Sequence, residues 1–407
     1  MNPVATHDTR PTSILLTVTG ADGPGITSSM MEILANHKVA ILDLGQAVIQ
    51  KLLSLSILFE LPNHDEKSVL KDLLFSATER GLKVDFKMLT PEELPSRHMK
   101  KKASRFVVTL IGEQLPATAL YPVTQTLSAV GLNIDGIQRL SEGEIQTLEM
   151  LVSADHAIAE SQLKKDLLAI ATQVGFDIAL QVDGPFRRAR RLIAFDMDST
   201  LIQNEVIDEL AREKGVYDDV SRITEEAMQG KLDFRESLSR RCALLEDLPL
   251  ASVDKVFERI KLTPGAEELI SKVKKLGYKV ALISGGFTFI AERLKESLDL
   301  DYVYANKLEV KDGRLTGKVI PPIVDARRKA DLLEVIAQQE RIRLEQVIAI
   351  GDGANDLEML ERAGLGIAFN AKPLVRERAD VSFTRKTLAP VFQILGLRHD
   401  DLMDELS

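Results

Sequence analysis

"RLIAFDMDSTLI", residues 191–202, sets a run of four apolar residues against two aspartates spaced two apart. Leu192, Ile193, Ala194 and Phe195 form the short uninterrupted run expected of a strand buried on both faces. Asp196 and Asp198 follow at once, with Ser199 and Thr200 behind them. Carboxylates at the end of a buried strand are costly without partners, so the pattern demands cationic company there.

Toward the C-terminus the same grammar repeats. "YKVALISGG" (278–286), "QVIAIGDG" (346–353) and "GLGIAF" (364–369) are short apolar runs, each leading into a helical stretch. Strands separated by helices predict a doubly wound parallel sheet, Rossmann-like, which binds ligands at the carboxyl ends of its strands. Between the first two strands, residues 205–262 read as mostly helical and charged, an insertion placed to cap that edge.

Toward the N-terminus one pattern occurs twice. "TSILLTVTG", "GITSSMMEILANH", "VAILDLGQAVIQ", "LLSLSILFEL", "EKSVLKDLLFSATERG" and "LKVDFKML" read β-α-β-β-α-β. After a Pro- and charge-rich stretch the order recurs in "RFVVTLIG", "YPVTQTLSAVG", "LNIDGIQRLS", "EIQTLEMLVSA", "ESQLKKDLLAIATQVG" and "FDIALQV". Two ferredoxin-like units are predicted, at 1–95 and 104–183, ahead of an α/β domain at 190–407.

Composition narrows the class. The 407 residues are 45% hydrophobic and 28% charged, the balance of a globular chain. No run approaches the roughly 18 apolar residues of a membrane span, and "MNPVATHDTR" lacks the features of a secretory signal, so a cytoplasmic protein without membrane partners is expected. The single cysteine, Cys242, fits that compartment and reads as a small buried hydrophobe. A net charge of −9 argues against a broad nucleic-acid-binding face. The basic runs "MKKKASR" (99–105) and "RRARR" (187–191) read as solvated linkers.

Each strand end of the α/β domain carries a pointed chemical group: Asp196 and Asp198; Ser284 with Gly285 and Gly286; and Asp352, Asn355 and Asp356 in "GDGANDLEML". Lys329 opens the helix "RRKADLLEVIAQQ". Any one of these fits a helix cap or a turn. Together they are a set of oxygens converging on one edge, which a hard divalent cation requires. Asp196 can then attack phosphorus to form an aspartyl phosphate. Asp198, two residues on in extended chain, lies on the same side and can protonate the leaving alkoxide, then deprotonate water. Ser284, the Gly285 N–H and Lys329 would hold the phosphoryl oxygens beside Mg²⁺.

"DMDST", "SGG", Lys329 and "GDGAND" resemble the four motifs of the haloacid dehalogenase superfamily of phosphohydrolases, and the insertion resembles that of its phosphoserine phosphatase family. The resemblance implies Mg²⁺ held by Asp196, the Asp198 backbone carbonyl and Asp352, with Asp356 behind them and Asn355 joining Ser284, Gly285 and Lys329 on the phosphate. It also implies hydrolysis of O-phospho-L-serine, the last step of serine biosynthesis. "NEVIDELA" supplies Glu205 and "FRESLSRRCALL" Arg241 for the substrate's ammonium and carboxylate, and Met228 and Phe234 match the cap's apolar contacts. An anion and a cation facing the two ends of a zwitterion make independent sense, since Arg can fork onto a carboxylate.

The paired modules resemble ACT domains, amino-acid sensors that bury their ligand between two copies, which implies a homodimer. In the first, "GADGPGI" resembles the ligand-binding turn; Gly20, Asp22, Gly23, Gly25 and Ile26 are its candidate residues, with serine as effector. The second module departs from that turn with "IGEQLPATAL". Two alternatives remain at this point: a phosphotransferase passing the phosphoryl group to another amino-acid alcohol, and a non-catalytic sensor. The first would respond to an excess of alcohol acceptor. The second would carry a broken motif, whereas Asp196, Asp198, Ser284, Lys329 and Asp352 are all intact.

Overall fold

The computed structural model describes residues 12–61, 66–90, 92–94, 102–141, 145–229 and 231–397. The chain divides into two compact units on either side of Lys101. In the first, β1 (Thr12–Ala21), α1 (Ile26–Asn36), β2 (Ala40–Ile49), β3 (Leu52–Leu61), α2 (Glu66–Glu79) and β4 (Lys83–Leu89) follow the expected order. The strands form an antiparallel sheet β2-β3-β1-β4. Alternate residues Ile14, Leu16 and Val18 of β1 and Leu53, Leu55, Ile57 and Phe59 of β3 are buried with Met30, Leu34 and Leu73 of the helices, as a period of two dictates.

The second unit opens with β5 (Ser104–Gly112), α3 (Ala117–Ala129), β6 (Asn133–Ser141), β7 (Gln146–Ala154), α4 (Glu160–Val174) and β8 (Asp177–Val182). Helix α3 begins four residues before the predicted Tyr121, so Pro122 lies inside it instead of opening it. Proline is favoured in a first turn, which drew the boundary too late; the chain starts the helix after Pro116 in extended conformation.

The α/β domain follows with β9 (Leu192–Phe195), the cap helices α5 (Val206–Lys214), α6 (Tyr217–Met228), α7 (Phe234–Ala243) and α8 (Ala251–Arg259), then α9 (Ala266–Lys275) and β10 (Lys279–Phe287). After these come α10 (Thr288–Leu298), β11 (Tyr302–Lys311), β12 (Arg314–Ile320), α11 (Ala326–Gln339), β13 (Val347–Gly351), α12 (Leu357–Arg362), β14 (Leu365–Phe369), α13 (Pro373–Arg378) and β15 (Val381–Phe383). All four residues of β9 are buried, and it pairs in parallel with β10 on one side and β13 on the other. That central position puts Asp196 in the middle of the sheet's carboxyl edge.

The sheet does not stop at the domain boundary. One eleven-stranded sheet runs β12-β11-β10-β9-β13-β14-β15-β8-β5-β7-β6, because β8 of the second module pairs antiparallel with β15 through Val381–Ala179 and Ser382–Ile178. Asp177 reinforces the joint by accepting the Thr384 N–H at 2.9 Å and its hydroxyl at 2.8 Å. The "RRARR" segment is consequently not a solvated linker. Arg187 and Arg190 are 4% and 5% exposed; Arg187 pairs with Glu149, and Arg190 donates to the Val347 carbonyl at 3.3 Å. Two strands of one sheet bracket this short crossing, so its side chains have to pack against the sheet, and burial pulls Arg190 down to about 10. Of "MKKKASR", the described part is paired: Lys102 with Asp155 and Arg105 with Asp183.

The cap's two connections run side by side. Ile202 bridges Leu262, the Gln203 N–H meets the Lys261 carbonyl at 2.8 Å, and the Thr263 hydroxyl donates to the Thr200 carbonyl at 2.7 Å. Cys242 is buried in the cap, where desolvation pushes its thiol up to about 12 and leaves it inert. Among the described residues no helix is long and apolar enough to cross a membrane.

Candidate active site

The chain leaves β9 extended at Asp196 (φ −72°, ψ 159°) and stays extended at Asp198 (φ −66°, ψ 135°) before Ser199 turns it into the left-handed region (φ 56°). The two carboxylates therefore share a side, as their spacing predicts. Asp196 Oδ1 accepts the Met197 N–H at 2.8 Å and the Lys329 ammonium at 2.7 Å. Asp198 Oδ1 accepts the Val206 N–H at 2.9 Å, at the start of α5. Burial, then the charges of Glu205 and Asp196, raise the Asp198 carboxyl well above the ordinary range, so its protonated form is favoured.

Lys329 is 0% exposed and bridges Asp196 to Asp356, which it reaches at 2.6 Å. Its two anionic neighbours outweigh the cost of burial and keep it charged. Asp356 also accepts the Gly353 N–H at 2.9 Å; burial pushes its carboxyl up and Lys329 pulls it back. A Cβ on Gly351 would lie 2.6 Å from Asp356 Oδ2, so that glycine is there for room. Asp352 accepts the Thr200 hydroxyl at 3.2 Å and is pushed up to about 8 by burial and by the charges of Asp356, Asp196 and Glu205. Asp196, Asp352 and Asp356 each offer a carboxylate oxygen within 4.8 Å of the others. An all-oxygen set this crowded, with burial raising both Asp352 and Asp356, fits a hard divalent cation.

A cavity of about 600 Å³ opens over this edge and gathers Asp196, Asp198, Glu205, Phe234, Arg241, Ser284, Gly285, Asp352 and Asn355 into its wall. Ser284 is buried within β10, not capping a helix, and its Oγ accepts the Gly286 N–H at 2.9 Å. A Cβ on Gly286 would collide with Met197 Cε and stand 2.6 Å from Asp198 Oδ2, so close approach requires that glycine, whereas one on Gly285 would press the Phe234 ring at 3.2 Å. From the cap side, Glu205 accepts the Ser199 hydroxyl at 2.8 Å, and burial, then the charges of Asp196 and Asp208, raise its carboxyl. Among the described residues Arg241 makes only long hydrogen bonds, to the Ser237 carbonyl at 3.4 Å and the Thr224 hydroxyl at 3.5 Å. Its guanidinium lines the cavity with no salt bridge among the described residues. The side chain of Met228 lies outside the described residues.

Sequence reasoning missed Asp208, Thr224, Ser237 and Leu238, which also line the cavity. Ser237 and Leu238 had a legible signal: with Phe234 and Arg241 they fall at i, i+3, i+4 and i+7, one face of α7.

In the first unit a separate cavity of about 280 Å³ is lined by Asp22, Gly23, Gly25 and Ile26 together with Gln46 and Leu53. Gly25 is left-handed (φ 89°) and caps α1 with no side-chain bond, leaving the helix's opening N–H groups uncapped by side chains. Gly20 is not part of that wall: a Cβ there would meet Leu82 at 2.6 Å, so this glycine serves strand packing.

Comparison with known proteins agrees with this fold. Residues 193–361 match the haloacid dehalogenase-like hydrolase domain, and residues 12–87 and 104–181 match ACT domains. The chain is 41% identical over 391 residues to phosphoserine phosphatase SerB2 of Mycobacterium tuberculosis, covering 96% of this chain and 94% of that one. Among solved structures it is similar to a haloacid dehalogenase family hydrolase from Salmonella enterica serovar Typhi (33% identity, TM-score 0.63, 74% of this chain and 99% of that one). A probable phosphoserine phosphatase from Vibrio cholerae, unliganded, is similar at 36% identity and TM-score 0.58, over 77% of this chain and 92% of that one. The chain thus belongs to the phosphoserine phosphatase family of haloacid dehalogenase-like hydrolases, with two ACT domains ahead of its catalytic core.

Proposed function

We propose that the chain hydrolyses O-phospho-L-serine to L-serine and phosphate through an aspartyl phosphate on Asp196, the step that ends serine biosynthesis. The observation that carries this reading is the convergence on one cavity of a lysine-held aspartate, a second aspartate biased toward protonation, and a cap-borne arginine with no carboxylate partner among the described residues.

Lys329 and the Met197 N–H hold Asp196 Oδ1, which leaves Oδ2 as the oxygen that attacks phosphorus. As the Oδ2–P bond forms, the P–O bond to serine breaks, and Asp198 gives its proton to the departing alkoxide. Asp198, now a carboxylate, takes a proton from water; the water oxygen bonds phosphorus, the P–Oδ2 bond breaks, and phosphate leaves with both aspartates restored. Ser284, the Gly285 N–H, Asn355 and Lys329 steady the phosphoryl oxygens. Asp196, the Asp198 backbone carbonyl and Asp352 would hold Mg²⁺, which when bound neutralises phosphoryl charge, and Asp356 supports Lys329 from behind. At the other end of the cavity Arg241 takes the substrate carboxylate, Glu205 its ammonium, and Phe234 packs on its methylene.

The first ACT domain is proposed to take an amino acid, serine by the logic of product control, at Asp22, Gly23, Gly25 and Ile26. The uncapped start of α1 supplies N–H groups for a carboxylate and Asp22 an anion for the ammonium. Homodimer formation is proposed as well: β2 is an edge strand exposed along its whole length, with Leu42, Leu44, Val48 and Ile49 among the open residues.

Phosphate release from a panel of phosphomonoesters, with and without Mg²⁺, tests the proposal. The expected outcome is Mg²⁺-dependent turnover with phosphoserine well ahead of esters lacking the amino-acid end. Equal rates across the panel would remove the substrate assignment, and turnover unaffected by chelator the metal.

A further inference from the structure

Strand β10 breaks register with β11 at the point where the phosphoryl-binding edge is built. Ile283 pairs with Tyr304, but the next pair is Phe287 with Asn306, so β10 advances four residues while β11 advances two. Ser284, Gly285 and Gly286 make up this bulge, and bulges re-aim side chains at the price of ladder hydrogen bonds. Asn306 replaces what the ladder loses. It is 0% exposed, its Nδ2 donates to the Gly285 carbonyl at 2.8 Å, and its Oδ1 accepts the Val324 N–H at 2.8 Å.

The geometry points to Asn306 as a positioning residue for phosphoryl binding, an assignment that rests on reading the end of β10 as the phosphoryl-binding edge. Its amide fixes the peptide between Gly285 and Gly286 by the carbonyl. The N–H of that same peptide donates to Ser284 Oγ at 2.9 Å. Because the Ser284 oxygen is occupied as an acceptor, its own hydrogen is left to donate into the cavity, where a phosphoryl oxygen requires a donor. The other end of the amide holds Val324, next to Asp325, whose carboxylate caps α11 through the Arg328 N–H at 2.9 Å. That helix carries Lys329. One buried side chain therefore ties the serine and lysine sides of the edge together.

The Asn306 amide spans both demands at once, a donor toward Gly285 and an acceptor toward Val324. Asn306→Asp keeps size and the Val324 bond but sets an oxygen against the Gly285 carbonyl; Asn306→Ser is smaller and can serve one side only. Both variants are measured for kcat/KM on phosphoserine and on p-nitrophenyl phosphate, and for affinity to inorganic phosphate by calorimetry. Misplacing a catalytic contact by about 1 Å costs on the order of 100-fold, so losses of roughly 10- to 100-fold are expected, equal for the two esters and matched by weaker phosphate binding. In a Ser284→Ala background the further loss from Asn306→Asp is expected to shrink to about threefold or less, because the group being positioned is gone.

Undiminished loss in that background, or phosphate affinity equal to wild type in both variants, overturns the inference. So does a loss that merely follows the unfolded fraction seen by circular dichroism. The phosphate titration needs no turnover, so it separates this inference from the proposed reaction, which fails if wild type releases no phosphate from phosphoserine.

Discussion

Arg241→Ala separates substrate reading from chemistry. The guanidinium is half-buried on α7, with contacts at 3.4 and 3.5 Å that are too long to hold the cap together. Desolvation lowers its pKa from the ordinary arginine value, and nearby Glu205, Asp208 and Asp198 offset this only in part. A charge-assisted hydrogen bond to the substrate carboxylate contributes about 1.5–3 kcal/mol. Its loss corresponds to roughly 10- to 150-fold in kcat/KM for phosphoserine. An ester with no carboxylate, p-nitrophenyl phosphate, should change by no more than about threefold, because the phosphoryl edge is untouched. Arg241→Lys retains charge but not the fork and should fall between. The assay is initial-rate phosphate release for both esters on all three proteins. Equal losses for the two substrates would refute the reasoning, since Arg241 would then be shaping the cap.

Three further outcomes follow from the same geometry. Asp198→Asn should lower kcat/KM for phosphoserine far more than for p-nitrophenyl phosphate, whose leaving group scarcely needs a proton, while kcat falls for both because Asp198 also activates the water; equal losses in kcat/KM would show that Asp198 acts other than as an acid in the first step. Lys329→Met should strip two buried carboxylates of their shared cation, lowering stability by about 3–5 kcal/mol in urea unfolding as well as abolishing activity; an unchanged urea midpoint would contradict this. Asp352, raised to about 8 without a cation, is mostly protonated at pH 7, so Mg²⁺ uptake should release nearly one proton there and almost none above about pH 9. Calorimetry in buffers of different ionisation enthalpy reads this directly, and proton release independent of pH would count against it. By the same sign, stability that the neutral Asp352 preserves at low pH drains away from the metal-free protein as pH rises toward 8.

The catalytic edge was legible because its signals are local. An apolar run ending in Asp196, glycines behind Ser284, and a helix opening near Lys329 each lie within a few residues of chain, and a parallel sheet brings strand ends together without further instruction. The two βαββαβ modules were legible for the same reason. What escaped depends on contacts between distant segments. Nothing in "FDIALQV" announces that β8 will find β15, so the buried Arg187 and Arg190 were read as solvent-facing charge. The β11–β12 hairpin did carry a signal in Asp312–Gly313, both left-handed at φ 51° and 74°, the turn that "DG" favours. With that hairpin unrecognised, Asn306 had no neighbour to serve.

The most direct measurement is chemical trapping of the aspartyl phosphate. The protein is mixed with Mg²⁺ and excess phosphoserine, quenched in acid, and reduced with borohydride, which converts a phosphorylated aspartate to homoserine, and the peptide carrying residue 196 is sequenced by mass spectrometry. The account predicts homoserine at position 196, none at 198, and none in Asp196→Asn protein treated alike. Steady phosphate release with an unmodified Asp196, or the label on another residue, would contradict it.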